Sequence, residues 1–147
     1  MVELVVVIVL LAVLSAVAVP RLVGRTGFES RAFADEVASA VRYAQRTAIA
    51  MRRTVTLVTA NPGSPCALRL CLGNDCSQQV FDPGTSQPFC LVPPPEVSLQ
   101  AVGGTPADLQ FDARGRPSSR TTFTVSSSAP GDDSRVITVE AETGHVH

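Results

Sequence analysis

The residues best equipped for chemistry are four cysteines, Cys66, Cys71, Cys76 and Cys90, spaced C-x4-C-x4-C-x13-C. Zinc sites favour closer pairs of the C-x2-C kind, so the spacing argues for disulfides, the default for an exported chain. Cys66 to Leu72 alternates as a strand does, which sets Cys66 on one face with Leu68, Leu70 and Leu72 and turns Cys71 to the other. Five strand residues also hold Cys66 and Cys71 about 16 Å apart, beyond the reach of a disulfide. Two connectivities remain. The turn-like Leu72-Gly73-Asn74-Asp75 between Cys71 and Cys76 favours Cys71–Cys76 with Cys66–Cys90.

No catalytic constellation accompanies them. The histidines, His145 and His147, share one face of an extended chain, but two ligands fall short of a zinc site. Asp132-Asp133 lies in a polar stretch and reads as a solvated loop. There is no glycine-rich phosphate loop and no GxSxG, and paired cysteines are not nucleophiles. The sequence reads as a non-enzyme with no cofactor and no metal.

All 12 basic residues are arginine, and the formal net charge is −1, so no global field favours nucleic acid. Their placement is more informative. At helical spacing Arg31, Arg42, Arg46 and Arg53 fall within about 60° of one another, with Asp35 among them. That stripe reads as a solvated face, as a docking surface for acidic patches on neighbouring subunits, or as a phosphate-backbone track. Tyr43 is the lone aromatic nearby that could stack a base. Arg114, Arg116 and Arg120, around Pro117, form a second basic candidate.

Glu3 is the remaining charged residue of note. It precedes an apolar run from Leu4 to Val19 that only Ser15 interrupts and Pro20-Arg21 closes. A charge at membrane depth costs roughly 2.5–3.5 kcal/mol, so an isolated one marks a function and needs a partner. The run would span about 24 Å as a helix, and Val2 and the stretch to Val23 bring it into the range of a hydrocarbon core. A membrane anchor, a secretory signal peptide ending at Ala16-Val17-Ala18 and a buried core helix compete for it. The run has no polar face and no basic residue before it, which weighs against the last two.

Positioning these residues takes one long helix in two parts, followed by strands. Pro20, Gly24 and Gly27 mark a bend or a partly melted segment from Pro20 to Gly27. From Phe28 to Arg52 the pattern is helical, with Phe33, Val37, Ala40, Val41, Ala44, Ala48 and Met51 on one face that should pack closely on a sheet. Strands are expected at Thr54–Thr59, Cys66–Leu72, Val97–Val102, Leu109–Asp112 and Thr121–Ser126. The last, Arg135–Ala141, has Ile137, Val139 and Ala141 on one face. Turns are expected at Asn61–Pro65 and Asp82–Gly84, an extended spacer at Pro93–Pro95 and a polar loop from Ser127 to Ser134. The chain thus divides into an apolar helix over 1–23, an amphipathic helix over 24–53 and a β-rich domain over 54–147, an α+β fold with antiparallel sheet.

Val2-Glu3-Leu4-Val5-Val6-Val7-Ile8 and Ala16-Val17-Ala18-Val19-Pro20-Arg21 resemble the N-terminus of type IV pilins and pseudopilins. In that family a basic leader ending in Gly is removed and the mature chain begins Phe-Thr-Leu-Val-Glu. The family's glutamate falls on Glu3 and its helix-kinking proline on Pro20. Met1 stands where the family has Leu, so the chain reads as truncated or as begun too late. Phe33 to Ala50, Phe111-Asp112-Ala113-Arg114-Gly115-Arg116-Pro117 and Val139-Glu140-Ala141-Glu142-Thr143-Gly144 resemble the GspH/FimT-type minor pseudopilins, and within them the MSHA-type minor pilins (MshC). The likeness covers both ends and fades from about Asn61 to Thr105.

The resemblance implies a pilin-like α+β fold, a long N-terminal helix packed on antiparallel sheet. It also implies a minor pilin or pseudopilin, a subunit for the initiation or tip of a type IV pilus or a type II secretion pseudopilus. Residues 1–23 would cross the bacterial inner membrane once, with the domain in the periplasm, and then enter the filament core. Glu3 would meet the mature N-terminal amine of a neighbour. The implied partners are other minor pilins, the major pilin, the inner-membrane assembly platform and the prepilin peptidase. The rival is a FimT-like DNA-binding minor pilin for DNA uptake. Those proteins carry a basic Gly-Arg-x-Arg near the C-terminus, where Gly144-His145-Val146-His147 stands here. Neutral imidazoles do not replace fixed charges, so nucleic acid is not the expected partner.

Overall fold

The computed structural model describes residues 2–23, 26–59, 64–102, 108–129 and 131–147, with side chains for all of these but 16–23 and 26. Two helices come first, α1 (Val2–Val23) and α2 (Thr26–Met51). The bend expected over Pro20–Gly27 is narrower than the sequence suggests. α1 continues through position 20 to Val23, and Gly27 already lies in α2; only Gly24 and Arg25 fall outside the described residues. A proline removes one helical hydrogen bond, yet its own φ suits a helix, so it does not end one by itself.

α2 buries one face, with Phe33, Ala34, Val37, Ala40, Val41, Ala44 and Ala48 all in the core. Met51 is not part of it. It is half exposed and borders an open cleft with Tyr43, Leu72, Val80 and Phe81, because the helix ends there. The end is a Schellman cap made without glycine. Arg52 adopts a φ of 51°, its N–H donates to the Ile49 carbonyl at 3.3 Å, and the Arg53 N–H donates to the Ala48 carbonyl at 3.2 Å.

The strands are β1 (Val55–Thr59), β2 (Leu68–Leu72), β3 (Gln78–Gln79), β4 (Cys90–Leu91), β5 (Val97–Val102), β6 (Leu109–Phe111), β7 (Thr121–Ser127) and β8 (Arg135–Val139). Every pairing is antiparallel. One sheet runs β3-β2-β1-β6, with β4 also on β2, and the other runs β5-β7-β8. Alternation explains the core. Val55 and Leu57 pair with Leu72, Leu70, Phe111 and Leu109, while Phe123 and Val125 alternate with half-buried threonines along β7. β8 ends at Val139, so Ala141 leaves the strand face expected for it and enters a turn that the Gly144 N–H closes on the Glu140 carbonyl at 2.9 Å. The turn expected at Asn61–Pro65 lies mostly outside the described residues. β3 and β4 are two residues each, too short to leave a periodic signal.

Of the two cysteine pairings open to strand geometry, the structure contains Cys66–Cys90 and Cys71–Cys76, with Cα atoms 5.2 and 4.8 Å apart. The first ties the start of β2 to β4, which pair as neighbours. The second closes the loop after β2, where Thr56 Oγ1 also donates to the Gly73 carbonyl at 2.6 Å. Removing the Cys66–Cys90 link with serines frees a loop with a sequence separation of 24. Loop entropy puts the expected loss of stability at about 3 kcal/mol, to be read from urea unfolding.

Two turns come back against α2 through Gln45. Its Nε2 donates to the Gly115 carbonyl at 2.9 Å and to the Thr143 carbonyl at 3.1 Å. Both turns need a glycine. Gly115 and Gly144 have φ of 80° and 65°, and a Cβ on Gly144 would collide with Gln45 Nε2. Gly144→Ala is therefore expected to destabilise the fold by about 1–3 kcal/mol, from backbone strain and a disrupted pair of hydrogen bonds, lowering the urea midpoint without changing its slope.

Candidate assembly surfaces

α1 presents the larger surface. Glu3 occupies its first turn, where free backbone N–H groups and the helix dipole favour a carboxylate. Beyond it, Leu4 to Leu11, Val13 and Leu14 are apolar and open on every side, each between 49% and 67% exposed. The hydroxyl of Ser15 is satisfied within the helix, donating to the Leu11 carbonyl at 2.7 Å. The described residues of the folded domain leave them uncovered. Among the described residues no helix is long and apolar enough to cross a membrane. The expected 1–23 anchor thus rests on the apolarity of the sequence and not on a span in the structure. The backbone at Pro20 is helical, and its side chain lies outside the described set.

The arginine stripe on α2 is shorter than helical spacing implies. Arg31, Arg42 and Arg46 project from the helix, exposed, with Asp35 between them. Arg53 lies past the cap, and its guanidinium donates to Gln78 Oε1 at 3.3 Å. Arg42 donates to the Val146 carbonyl at 3.3 Å, which holds its head group near the C-terminal tail. Among the described residues none of these four makes a salt bridge.

The C-terminal arginines differ. Arg116 pairs with Glu142, and Arg120 pairs with Glu140 at 3.5 Å. Glu140 also bonds the His147 ring at 3.1 Å, and the rings of His145 and His147 stack with centroids 5.7 Å apart. Among the described residues Arg114 makes no salt bridge, while its backbone N–H and that of Arg116 donate to Asp112 Oδ1 at 2.9 and 2.8 Å. Those two N–H groups, Arg116's foremost, hold the Asp112 carboxyl below its usual range. Among the described residues no group of three metal-ligating side chains converges. Sequence reasoning missed Glu140 and Glu142 as partners. Strand alternation does not place them, because β8 ends at Val139 and Glu142 lies in the turn that follows.

A long helix laid across two antiparallel sheets, with an uncovered apolar helix before it, is the fold of minor pilins and pseudopilins. A family model, type II transport protein GspH, matches residues 34–143, and the chain belongs to that family. Solved structures of two proteins share the fold. The minor pseudopilin EpsH from the type 2 secretion system of Vibrio cholerae aligns with a TM-score of 0.63 and 14% identity over 81% of this chain and 94% of that one. The type IV minor pilin FimU of Pseudomonas aeruginosa aligns with a TM-score of 0.58 and 18% identity over 81% of this chain and 87% of that one. No curated protein sequence matches the chain.

The Glu140 cluster yields a measurable consequence. The His147 ring, and after it the Arg120 charge, hold the Glu140 carboxyl below its ordinary 4.5. A depressed carboxyl stabilises the fold above its unfolded value and loses that contribution as pH falls through the folded one. Carboxyl NMR titration should therefore place Glu140 below 4.5, and His147→Ala should move it upward.

Proposed function

We propose that the chain is a minor pilin or pseudopilin, a structural subunit that helps start or cap a filament. The observation that carries this reading is α1, with apolar side chains open on every side and one carboxylate in its first turn. Such a surface requires cover from lipid or from other apolar helices. Membership of the GspH family favours a type II secretion pseudopilus, and the fold shared with FimU makes a type IV pilus the other setting. The finer MSHA-type placement rests on the resemblance at the two ends of the chain.

In this reading residues 1–23 cross the bacterial inner membrane once, and the domain over 54–147 sits in the periplasm, an oxidising compartment suited to its two disulfides. The α1 helices then pack together in the filament. Glu3 meets the N-terminal amine of a neighbour, and the attraction of opposite charges at low dielectric offsets the desolvation each suffers alone. Pro20 lets the helix bend between core and domain. The partners are other minor pilins, the major pilin, the assembly platform and the peptidase that matures the N-terminus. The pairing of Arg116 and Arg120 with carboxylates speaks against the DNA-binding alternative.

Glu3→Gln, expressed in the native host with the upstream coding sequence, should leave the domain folded and reduce incorporation into sheared filaments about tenfold, the effect of roughly 1.4 kcal/mol. Immunoblots of filament and membrane fractions measure this. Normal incorporation of the variant would overturn the role of Glu3.

A further inference from the structure

We propose that the groove between the first half of α2 and β8 binds an acidic protein segment, seating its carboxylates on Arg31, Arg42 and Arg135. The groove encloses about 260 Å³. Its floor is apolar, made by Ala34 and Ala38 of α2 with Ile137 of β8 and Val146 of the tail. The alanines keep that floor low, and the three arginines stand around it.

The charges of the groove are unbalanced. Asp35 is the carboxylate in its lining, and among the described residues it makes no ion pair with the arginines beside it. Among the described residues Arg31 has no carboxylate partner, and Arg42 spends one hydrogen bond on a neutral carbonyl, which orients its head without cancelling its charge. Arg135 reaches Asp132 behind the groove at 3.7 Å, and its Nε is buried with no acceptor. Asp132 Oδ2 is buried and open in the same way, so this pair is held loosely and leaves the outer nitrogens of Arg135 available to the groove. Even with Asp132 counted beside Asp35, three arginines leave one positive charge in excess, while the His147 ring is engaged with Glu140.

The lining selects a protein partner over a nucleic acid. The His147 imidazole, the one ring in the wall, is engaged with Glu140, so the groove offers no free aromatic face for a base to stack on. An apolar floor ringed by guanidinium groups suits side chains with apolar stems and carboxylate ends, which Arg grips in bidentate fashion. That the segment belongs to a neighbouring subunit rests on the filament reading; the binding chemistry does not.

The test titrates the full chain, in nonionic detergent at about 50 mM salt to limit screening, into a fluorescein-labelled peptide of alternating Glu and Val, read by anisotropy. The same peptide with Gln for Glu and a single-stranded oligodeoxynucleotide run beside it. The Glu peptide should bind at least about tenfold more tightly than the Gln peptide. Arg42→Gln and Arg135→Gln should each weaken it about tenfold, the effect of losing one charge-assisted contact. Arg31→Gln changes an exposed side chain that the core does not use, and so keeps the test valid should Arg135→Gln unfold. Arg114→Gln, outside the groove, should change nothing. Equal binding of the two peptides, unchanged affinity in the Arg31 and Arg42 variants, or tighter binding of the oligonucleotide through these arginines would overturn the proposal. Normal filament incorporation of Glu3→Gln would bear on the filament reading and leave this result standing.

Discussion

The contact between the small-residue face of α2 and two separate sheets holds the domain together. Among the described residues no strand pairing joins β3-β2-β1-β6 to β5-β7-β8. α2 lies against β1 and β6 of the first and β7 and β8 of the second, and so serves as their common wall. Alanine at 40, 44 and 48 lets the helix approach both sheets closely, while Phe33, Val37 and Val41 fill the space between them. Each of those three contributes about 1.5–3 kcal/mol by burial, so the helix is the largest single share of the core. What each functional surface needs follows from this wall. The basic groove exists because β8 lies beside the first half of α2, and the C-terminal turns are held because Gln45 reaches them from its second half.

The elements with strong periodicity were legible in the chain. The face of α2 repeats at 3.6 residues and the strands β1, β5, β7 and β8 alternate, so burial alone dictates them. The arrangement of the cysteines was nearly so, because a strand between Cys66 and Cys71 forbids their bond. The limits lie where a position is set by one local backbone choice or by a distant partner. Arg52 takes a left-handed conformation that its side chain does not announce, so nothing in the sequence places the cap there and leaves Met51 uncovered. β3 and β4 exist by pairing with β2, and two residues carry no period.

The candidate site divided in the same way. Arginine spacing on one helix is readable, since it needs only the geometry of that helix. Arg135 and Arg42 meet across a groove whose walls are 93 positions apart in the chain (135 against 42). The pairing of Arg116 with Glu142 and of Arg120 with Glu140 likewise depends on two turns folding back together. A count of basic residues treats them all alike, yet Arg116 and Arg120 pair with carboxylates, whereas among the described residues Arg31 and Arg42 make no salt bridge. In a chain of net charge −1, the fold thus gathers Arg31, Arg42 and Arg135 around one groove.

The domain and α1 differ in their demands. The domain buries a core of its own, whereas the apolar side chains described in α1 stay open and the helix satisfies its backbone polar groups. A helix closes its backbone hydrogen bonds internally, and Ser15 adds its hydroxyl to that closure. Under the filament reading this is what allows α1 to pass from lipid to a bundle of like helices, because lipid tails and leucine side chains are equally apolar and the exchange changes little in hydrophobic free energy. The same indifference means that apolar contacts cannot fix where one helix stops along another. A polar group near the end of the helix must do so, and in α1 between Val2 and Ser15 the only ionisable one is Glu3. Cohesion and register are then supplied by different residues, the many valines and leucines for one and a single carboxylate for the other.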